Sequence, residues 1–502
     1  MGALEGLLYG FTVALTPENL LACFVGVLIG TVVGVLPGIG PLGAMALLLP
    51  STFAMSPSTA LIMLVGIYYG AMYGGSTTSI LVNVPGEVAS VITAIDGYQM
   101  ARRGRAGAAL AVSAVGSFVA GTLGVLGLIL FATILAEAAL RFGPPEYFAL
   151  TVFGLVVLSR LTGGSLVRSW LMVGLGLTLG SVGMEPISGV SRFTFGSVTL
   201  SQGIELVPVA MGLFGIAEIL TLAEARGGLP RAIGVRLREL LPTREEWRRA
   251  TPPILRGSVL GFLVGLIPGP AAVVSTFLSY TVERRLARHP EEFGRGAIQG
   301  VAGPEAANNG ATGGALVPLL ALGIPFAPAT AVLLGALVIH GIQPGPLLMS
   351  QRPEVFWGLA ASMYIGNAIL LILNLPLIGL FVRVLRLPQH LLLSLVVLLC
   401  FVGTYSVNNS LLDLWVLVGM GVLGYLLRKL GFEPAVVILA LVLGPMLEKT
   451  LRQTLFMARG DWGSILLRPL TLALLLAGGL VLVGPELYRG LRRLAARRSS
   501  AG

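Results

Sequence analysis

Residues 106–136 carry no charged side chain. A helix needs about 20 mostly apolar residues to cross a bilayer, so this stretch alone can span a membrane. Comparable apolar stretches recur at 20–36, 42–53, 60–73, 88–100, 147–158, 169–184 and 204–222. In the second half they lie at 355–382, 391–407, 411–427, 434–446 and 465–483. Lipid offers the backbone no hydrogen-bonding partners, so spans of this length are expected to be helical. Of the 502 residues, 55% are hydrophobic and only 11% charged, against roughly 25% charged in soluble domains. The expected fold class is an all-α polytopic membrane protein lying in a lipid bilayer. The net charge of +10 sits in short arginine clusters between apolar stretches. That is the pattern of cytoplasmic loops, and it argues against a nucleic-acid partner. Cys23 and Cys400 lie in apolar segments and suggest neither a metal site nor a disulfide framework. The N-terminus lacks the basic start and cleavage site of a signal peptide.

The chain reads as built twice. Gly30-Thr-Val-Val-Gly34-Val-Leu-Pro37-Gly38 matches Gly261-Phe-Leu-Val-Gly265-Leu-Ile-Pro268-Gly269 without a gap, 231 residues later. Each copy is followed by a second landmark. The first half has Gly74-Gly75-Ser76-Thr77-Thr78-Ser79 leading to Asn83-Val84-Pro85-Gly86. The second has Pro304-Glu305-Ala306-Ala307-Asn308-Asn309-Gly310-Ala311-Thr312-Gly313-Gly314 leading to Gly323-Ile324-Pro325. Charge alternates between the halves. Loop 50–58 is uncharged and loop 283–295 is charged; then Arg102, Arg103 and Arg105 appear in half one, whereas 341–350 is uncharged. By the positive-inside rule, equivalent loops lie on opposite faces. Two inverted-topology repeats are therefore expected, a common secondary-transporter plan. Arginines flank the Pro268-Gly269-Pro270 turn on both sides, which predicts re-entrant hairpins around the paired Pro-Gly turns. The second landmarks predict interrupted helices. The domain plan is an N-terminal membrane repeat over 1–225, a basic cytoplasmic interfacial linker over 226–253, and a C-terminal repeat over 254–502 with a basic tail.

A helix broken within a membrane presents free N–H groups that suit a carboxylate, and unwound carbonyls that suit Na⁺. The expected substrate-binding residues are Ser76, Thr77, Thr78, Asn83, Pro85 and Gly86 in half one. In half two they are Asn308, Asn309, Thr312, Gly313, Gly314 and Pro325. Gly38, Gly40, Ser79, Asn83, Gly269 and Asn309 are candidate cation positions, with Na⁺ as the possible metal. Glu87 and Glu305 are candidates for coupling, because an acid at membrane depth is costly and usually functional. Neither run contains Lys or Arg, so an anionic cargo must be neutralised by helix ends, amides and co-bound cations. His289, His340 and His390 do not pair at ligand spacing, and no nucleotide-binding or hydrolase motif is present. No enzyme activity and no cofactor are expected, beyond Na⁺ or H⁺ as a coupling ion. A stand-alone transporter for another organic solute and a passive anion channel stay open on these residues.

The motifs carry a family resemblance. The Gly30–Pro41 segment, the run from Gly70 to Gly86, Asp96-Gly-Tyr-Gln-Met, Gly300-Val-Ala-Gly-Pro-Glu-Ala-Ala-Asn-Asn-Gly310 and Ala329–Leu337 resemble the large permease subunit of the tripartite tricarboxylate transporters. The resemblance spans nearly the whole chain. It implies a multi-pass permease of the bacterial inner membrane with two partners, a small membrane subunit and a periplasmic solute-binding protein. It also implies cation-coupled uptake of citrate or other small carboxylates by an elevator-type motion.

Overall fold

The computed structural model describes residues 2–36, 40–161, 165–185, 189–224, 233, 240–384, 389–459, 461, 463, 465 and 468–499. The chain opens with helices α1 (Ala3–Ala14), α2 (Pro17–Val35), α3 (Gly40–Leu48), α4 (Pro57–Val82), α5 (Val91–Met100) and α6 (Ala106–Ala139). Then come α7 (Pro144–Leu161), α8 (Leu166–Gly180), a two-residue antiparallel ladder of β1 (Gly183–Met184) with β2 (Ser191–Arg192), and the short α9 (Val198–Ser201). Next are α10 (Leu206–Ala210), α11 (Ala217–Glu224), α12 (Arg244–Gly265), α13 (Ala271–Leu286), α14 (Gln299–Leu322) and α15 (Pro328–Ile339). The chain closes with α16 (Leu348–Gln351), α17 (Pro353–Asn374), α18 (Ile378–Val384), α19 (Gln389–Asn408), α20 (Leu411–Lys429), α21 (Ala435–Ala458) and α22 (Pro469–Ser499). Five of the described helical runs are long and apolar enough to cross a bilayer: Pro17–Val35, Val88–Ala139, Leu206–Glu224, Pro353–Asn374 and Leu411–Lys429. The all-α membrane class therefore holds, with one small ladder added.

The chain divides into two compact units. The first comprises Met1–Ala139, Glu205–Ile267 and Ala271–Leu427; the second comprises Leu140–Ile204, Pro268–Pro270 and Arg428–Gly502. Within the second unit, Arg192 of β2 forks onto both oxygens of Glu448 on α21 at 2.8 and 3.0 Å. Arg468 reaches Glu146 of α7 at 2.9 Å.

The first unit is built on two helix pairs with the same glycine register. On α2, Gly26, Gly30 and Gly34 lie against the carbonyls of Met63, Ile67 and Ala71 on α4. On α12, Gly257, Gly261 and Gly265 lie against the carbonyls of Gly303, Ala307 and Ala311 on α14. The return face matches too. Gly70 and Gly74 of α4 meet the carbonyls of Val27 and Thr31, while Gly310 and Gly314 of α14 meet those of Ser258 and Phe262. Glycines four apart lie on one helix face and let two backbones touch. Each interior glycine costs a helix about 1 kcal/mol relative to alanine, and this close packing offsets the cost.

That packing also corrects the expected interruption. α4 runs unbroken through Gly74 to Ser79, and α14 runs unbroken through Pro304 to Gly314. Their carbonyls lie within helix rather than in an unwound stretch. The break comes later and is short. Pro37, Gly38 and Ile39 lie outside the described residues, so the first hairpin turn does too. The second is described: α12 and α13 fold back on each other, with Arg256 Nε donating to Glu283 Oε1 at 2.9 Å across the pair. Residues 226–232 and 234–239 of the basic linker expected over 226–253 lie outside the described residues. Ile233 donates its N–H to the Leu81 carbonyl at 3.1 Å, and α12 starts at a Thr243–Glu246 capping box.

Candidate functional site

Both long buried helices end in the same way. Asn83 closes α4 in the left-handed region (φ 59°, ψ 28°), and Gly323 closes α14 there (φ 73°, ψ 21°). Each is followed by a residue and a proline, Val84-Pro85 and Ile324-Pro325, and a residue before proline is pushed out of helix. Each break then ends on a hydroxyl clasp. Ser90 Oγ donates to the Glu87 carbonyl at 2.8 Å and accepts the Glu87 N–H at 3.4 Å. Thr330 Oγ1 does the same for Ala327 at 2.7 and 3.0 Å. The paired residues stand 240 positions apart throughout.

The polar centre joins the two runs. Glu305, 1% exposed on α14, accepts from the hydroxyls of Ser76 on α4, Thr93 on α5 and Ser113 on α6. Asn309 Nδ2 donates to Ser117 Oγ at 2.8 Å and to the Glu305 carbonyl at 3.2 Å. Asn308 Nδ2 donates to Glu87 Oε1 at 2.7 Å, tying α14 to the first break. Thr312 Oγ1 donates to the Asn308 carbonyl at 3.1 Å. The side-chain carbonyl oxygens of Asn308 and Asn309 are buried without a partner. The two carboxylates expected at the coupling positions thus each bridge the halves of the chain. Among the described residues, neither pairs with a lysine or arginine.

Other expected site residues do not join this centre. Thr78 and Ser79 turn their hydroxyls onto the Gly75 carbonyl, and Ser79 also reaches Ser90. Thr77 is buried within α4, and Pro325 is buried beside Phe326. Gly86 packs against Gly75 and Gly34; Pro85 is half-buried and Asn83 is exposed. Gly313 packs on Gly124 of α6, and Gly314 on Phe262 and Gly265 of α12. Gly40 (φ 62°) starts α3 in open space, and Gly269 (φ 138°) turns the chain between α12 and α13. Gly38 is outside the described residues.

Several participants carry little sequence signal. Ser113 and Ser117 face α14 from one side of the mostly apolar α6, four residues apart, and that spacing is their only sequence signal. Thr93 and Asp96, one turn apart on α5, both touch the α14 region, and of the two only Thr93 lacks a signal, since an acid stands out in apolar sequence. Asp96 accepts from the Gly296 and Ala297 N–H groups at 2.7 and 2.9 Å and from Tyr280 at 2.9 Å. Asn367 of α17 accepts from Tyr73 and donates to the Phe118 carbonyl at 2.7 Å and Thr122 at 3.1 Å. Among the described residues, no three His, Cys, Asp or Glu side chains converge as a metal centre would require.

A multi-pass helical protein with buried acids and amides between glycine-packed helices belongs to the class of membrane transport proteins. The chain is a member of the tripartite tricarboxylate transporter TctA family, which it matches over residues 20–439. It is 50% identical over 479 residues to an uncharacterized 52.8 kDa protein in the TAR-I ttuC' 3' region of Agrobacterium vitis, covering 95% of each chain. It is 47% identical over 223 residues to an uncharacterized protein in the TAR-II ttuC' 3' region of the same organism, covering 44% of this chain and 92% of that one. No solved structure matches. Membership implies the large subunit of a tripartite tricarboxylate transporter, working with a small membrane subunit and a periplasmic binding protein.

Proposed function

We propose that this chain is the permease of a binding-protein-dependent secondary transporter that takes up tricarboxylates or other small carboxylates. Na⁺ or H⁺ drives it, by alternating access of the elevator type in the bacterial inner membrane. The observation that carries this reading is the crossing of contacts at the centre: Ser76 to Glu305 and Glu87 to Asn308. A site assembled from both halves changes whenever one half moves against the other, which is what alternating access needs. The alternating loop charges support inverted repeats. The cargo would meet Asn308, Asn309 and Thr312 of α14 with Ser76 of α4, while Glu87 and Glu305 link it to the driving ion. With no basic side chain in either run, co-bound cations offset the carboxylate charge.

Uptake into proteoliposomes holding the permease, its small subunit and a loaded binding protein tests this. The expected result is saturable accumulation of a tri- or dicarboxylate that requires an imposed Na⁺ or H⁺ gradient. Loss of uptake is expected in the Asn308→Ala/Asn309→Ala double variant. Flux that never saturates and runs without a gradient would instead describe a channel.

A further inference from the structure

The β1–β2 hairpin has its polarity inverted. Phe195 is 91% exposed, and Met184, Val190, Phe193 and Val198 are exposed around it. Residues 181–204 carry only two charged side chains, Glu185 and Arg192, and both pair within the protein. Glu185 is 2% exposed and stands 3.7 Å from Arg452 of α21, while Arg192 forks onto Glu448. The backbone is paired too. Beyond the ladder, the N–H groups of Glu185, Gly189 and Ser197 donate to the carbonyls of Val190, Glu185 and Thr194 at 3.0, 2.9 and 2.8 Å. A loop in water leaves its charges outside and shelters its large apolar side chains. Paired charges, a satisfied backbone and outward apolar side chains are what a lipid-immersed segment requires. Phe193 (φ 53°) and Phe195 (φ 48°) also hold left-handed backbone, a strain for bulky side chains, so their outward display runs against local preference.

The depth of the hairpin follows from α8. Near the start of that helix, Arg168 Nη1 donates to the Gly431 carbonyl at 3.4 Å and the guanidinium lies over Phe432. Arg168, Arg428 and Lys429 make this end basic, which places it at the cytoplasmic face. α8 then runs beside α21 until Gly180 lies against the Leu441 carbonyl. Its 15 residues span about 22 Å, short of the roughly 30 Å hydrocarbon core. The hairpin therefore begins before the far edge of the core is reached.

We propose that the hairpin and its return to α9 (residues 183–185 and 189–201) are embedded in the leaflet away from the cytoplasm, with the Phe193 and Phe195 rings among lipid acyl chains. Lipid is the occupant because the surface continues one that already faces lipid: Val167, Trp170 and Leu171 are exposed on α8, and Met184 follows them in the hairpin. Set there, the hairpin holds α8 and α21 at a fixed depth. The pairing of Glu185 and Arg192 keeps their charges out of the hydrocarbon. This anchor is independent of what the chain carries.

Nitroxide labels on the full-length chain in proteoliposomes test the placement. Cys23 and Cys400 are buried, so Phe195→Cys and Val198→Cys can be labelled selectively. Val198 opens α9 and reports from helical backbone, so it decides the matter even where the strained Phe195 position tolerates no change. At both sites, lipid-soluble oxygen should relax the nitroxide more than a water-soluble nickel complex does. At Glu291→Cys, exposed on the charged 283–295 loop, the order should reverse. Nickel dominance at 195 and 198 would put the hairpin in water and overturn the proposal. Poor access of both reagents would also overturn it, because a second copy of the chain or another protein would then cover the surface in place of lipid.

Discussion

The two helix breaks share a backbone and divide the chemistry. Asn83 to Glu87 and Gly323 to Ala327 use the same left-handed cap, the same proline and the same hydroxyl clasp. Yet Gly86 in the first corresponds to Phe326 in the second, and Glu87 corresponds to Ala327. The helices above them diverge likewise. Val65, Tyr68 and Tyr69 of α4 stand where α14 has Glu305, Asn308 and Asn309. The geometry is duplicated, but half one supplies hydroxyls and one carboxylate from its break, while half two supplies an acid and two amides from its helix. Neither half holds a complete polar site, and each has the partners the other lacks.

The largest expected effect tests the shared part. Gly30 and Gly261 each lie on a facing backbone carbonyl, where an added Cβ has no room. Gly30→Leu and Gly261→Leu should both abolish folded protein, since overpacking a tight site costs about 1–3 kcal/mol even where neighbours can yield, and backbone cannot. Size-exclusion profiles and yield in detergent report it. A well-behaved Gly30→Leu beside a collapsed Gly261→Leu would break the equivalence of the two pairs. A smaller effect tests the divergent part. A Cβ at Gly86 would fall 2.1 Å from the Gly34 carbonyl oxygen, 2.6 Å from Gly75 Cα and 2.8 Å from Thr78 Oγ1, too close for an alanine methyl without a shift of backbone. Gly86→Ala should lower stability by about 1–3 kcal/mol. At the matching position, Phe326→Leu should cost less than about 1.5 kcal/mol, as similar-sized apolar exchanges do. Thermal midpoints compare the two, and equal losses would show that the breaks are packed alike after all.

The duplication was legible in the sequence because packing wrote it in glycines. Gly30, Gly34, Gly261 and Gly265 repeat at helical spacing, and each turned out to touch a backbone. Glycine at other helical positions imitates a break. Gly74, Gly75, Gly313 and Gly314 next to hydroxyls and amides suggested unwound chain, yet three of them are helix contacts. Propensity argues against glycine in helices, and tertiary packing overrides it. The acids were legible because apolar surroundings make them conspicuous. Their partners were not: Thr93, Ser113 and Ser117 are ordinary small residues until the fold aims them at α14. Asn83, expected to meet the cargo, also has a backbone role as an exposed cap, because asparagine tolerates the left-handed region at a helix end.

The smallest effect concerns a charge that only one half owns. After its second landmark, half one carries Arg105, whose Nε donates to Glu246 Oε1 at 3.0 Å; loop 341–350 of half two has no charge. Partial burial pushes the Glu246 carboxyl up, but Arg105 and the Thr243 N–H outweigh it and hold the group below the usual range. A carboxyl lowered by folding adds stability above its unfolded value, about 4.3, and loses it as pH falls through the folded value. Exposed ion pairs contribute about 0–1 kcal/mol, so Glu246→Gln should lower the thermal midpoint slightly at pH 7. The gap should close in acid, as wild-type Glu246 is protonated. A gap that persists at low pH would assign the effect to the helix cap at Thr243 instead, and remove this charge from what distinguishes the halves.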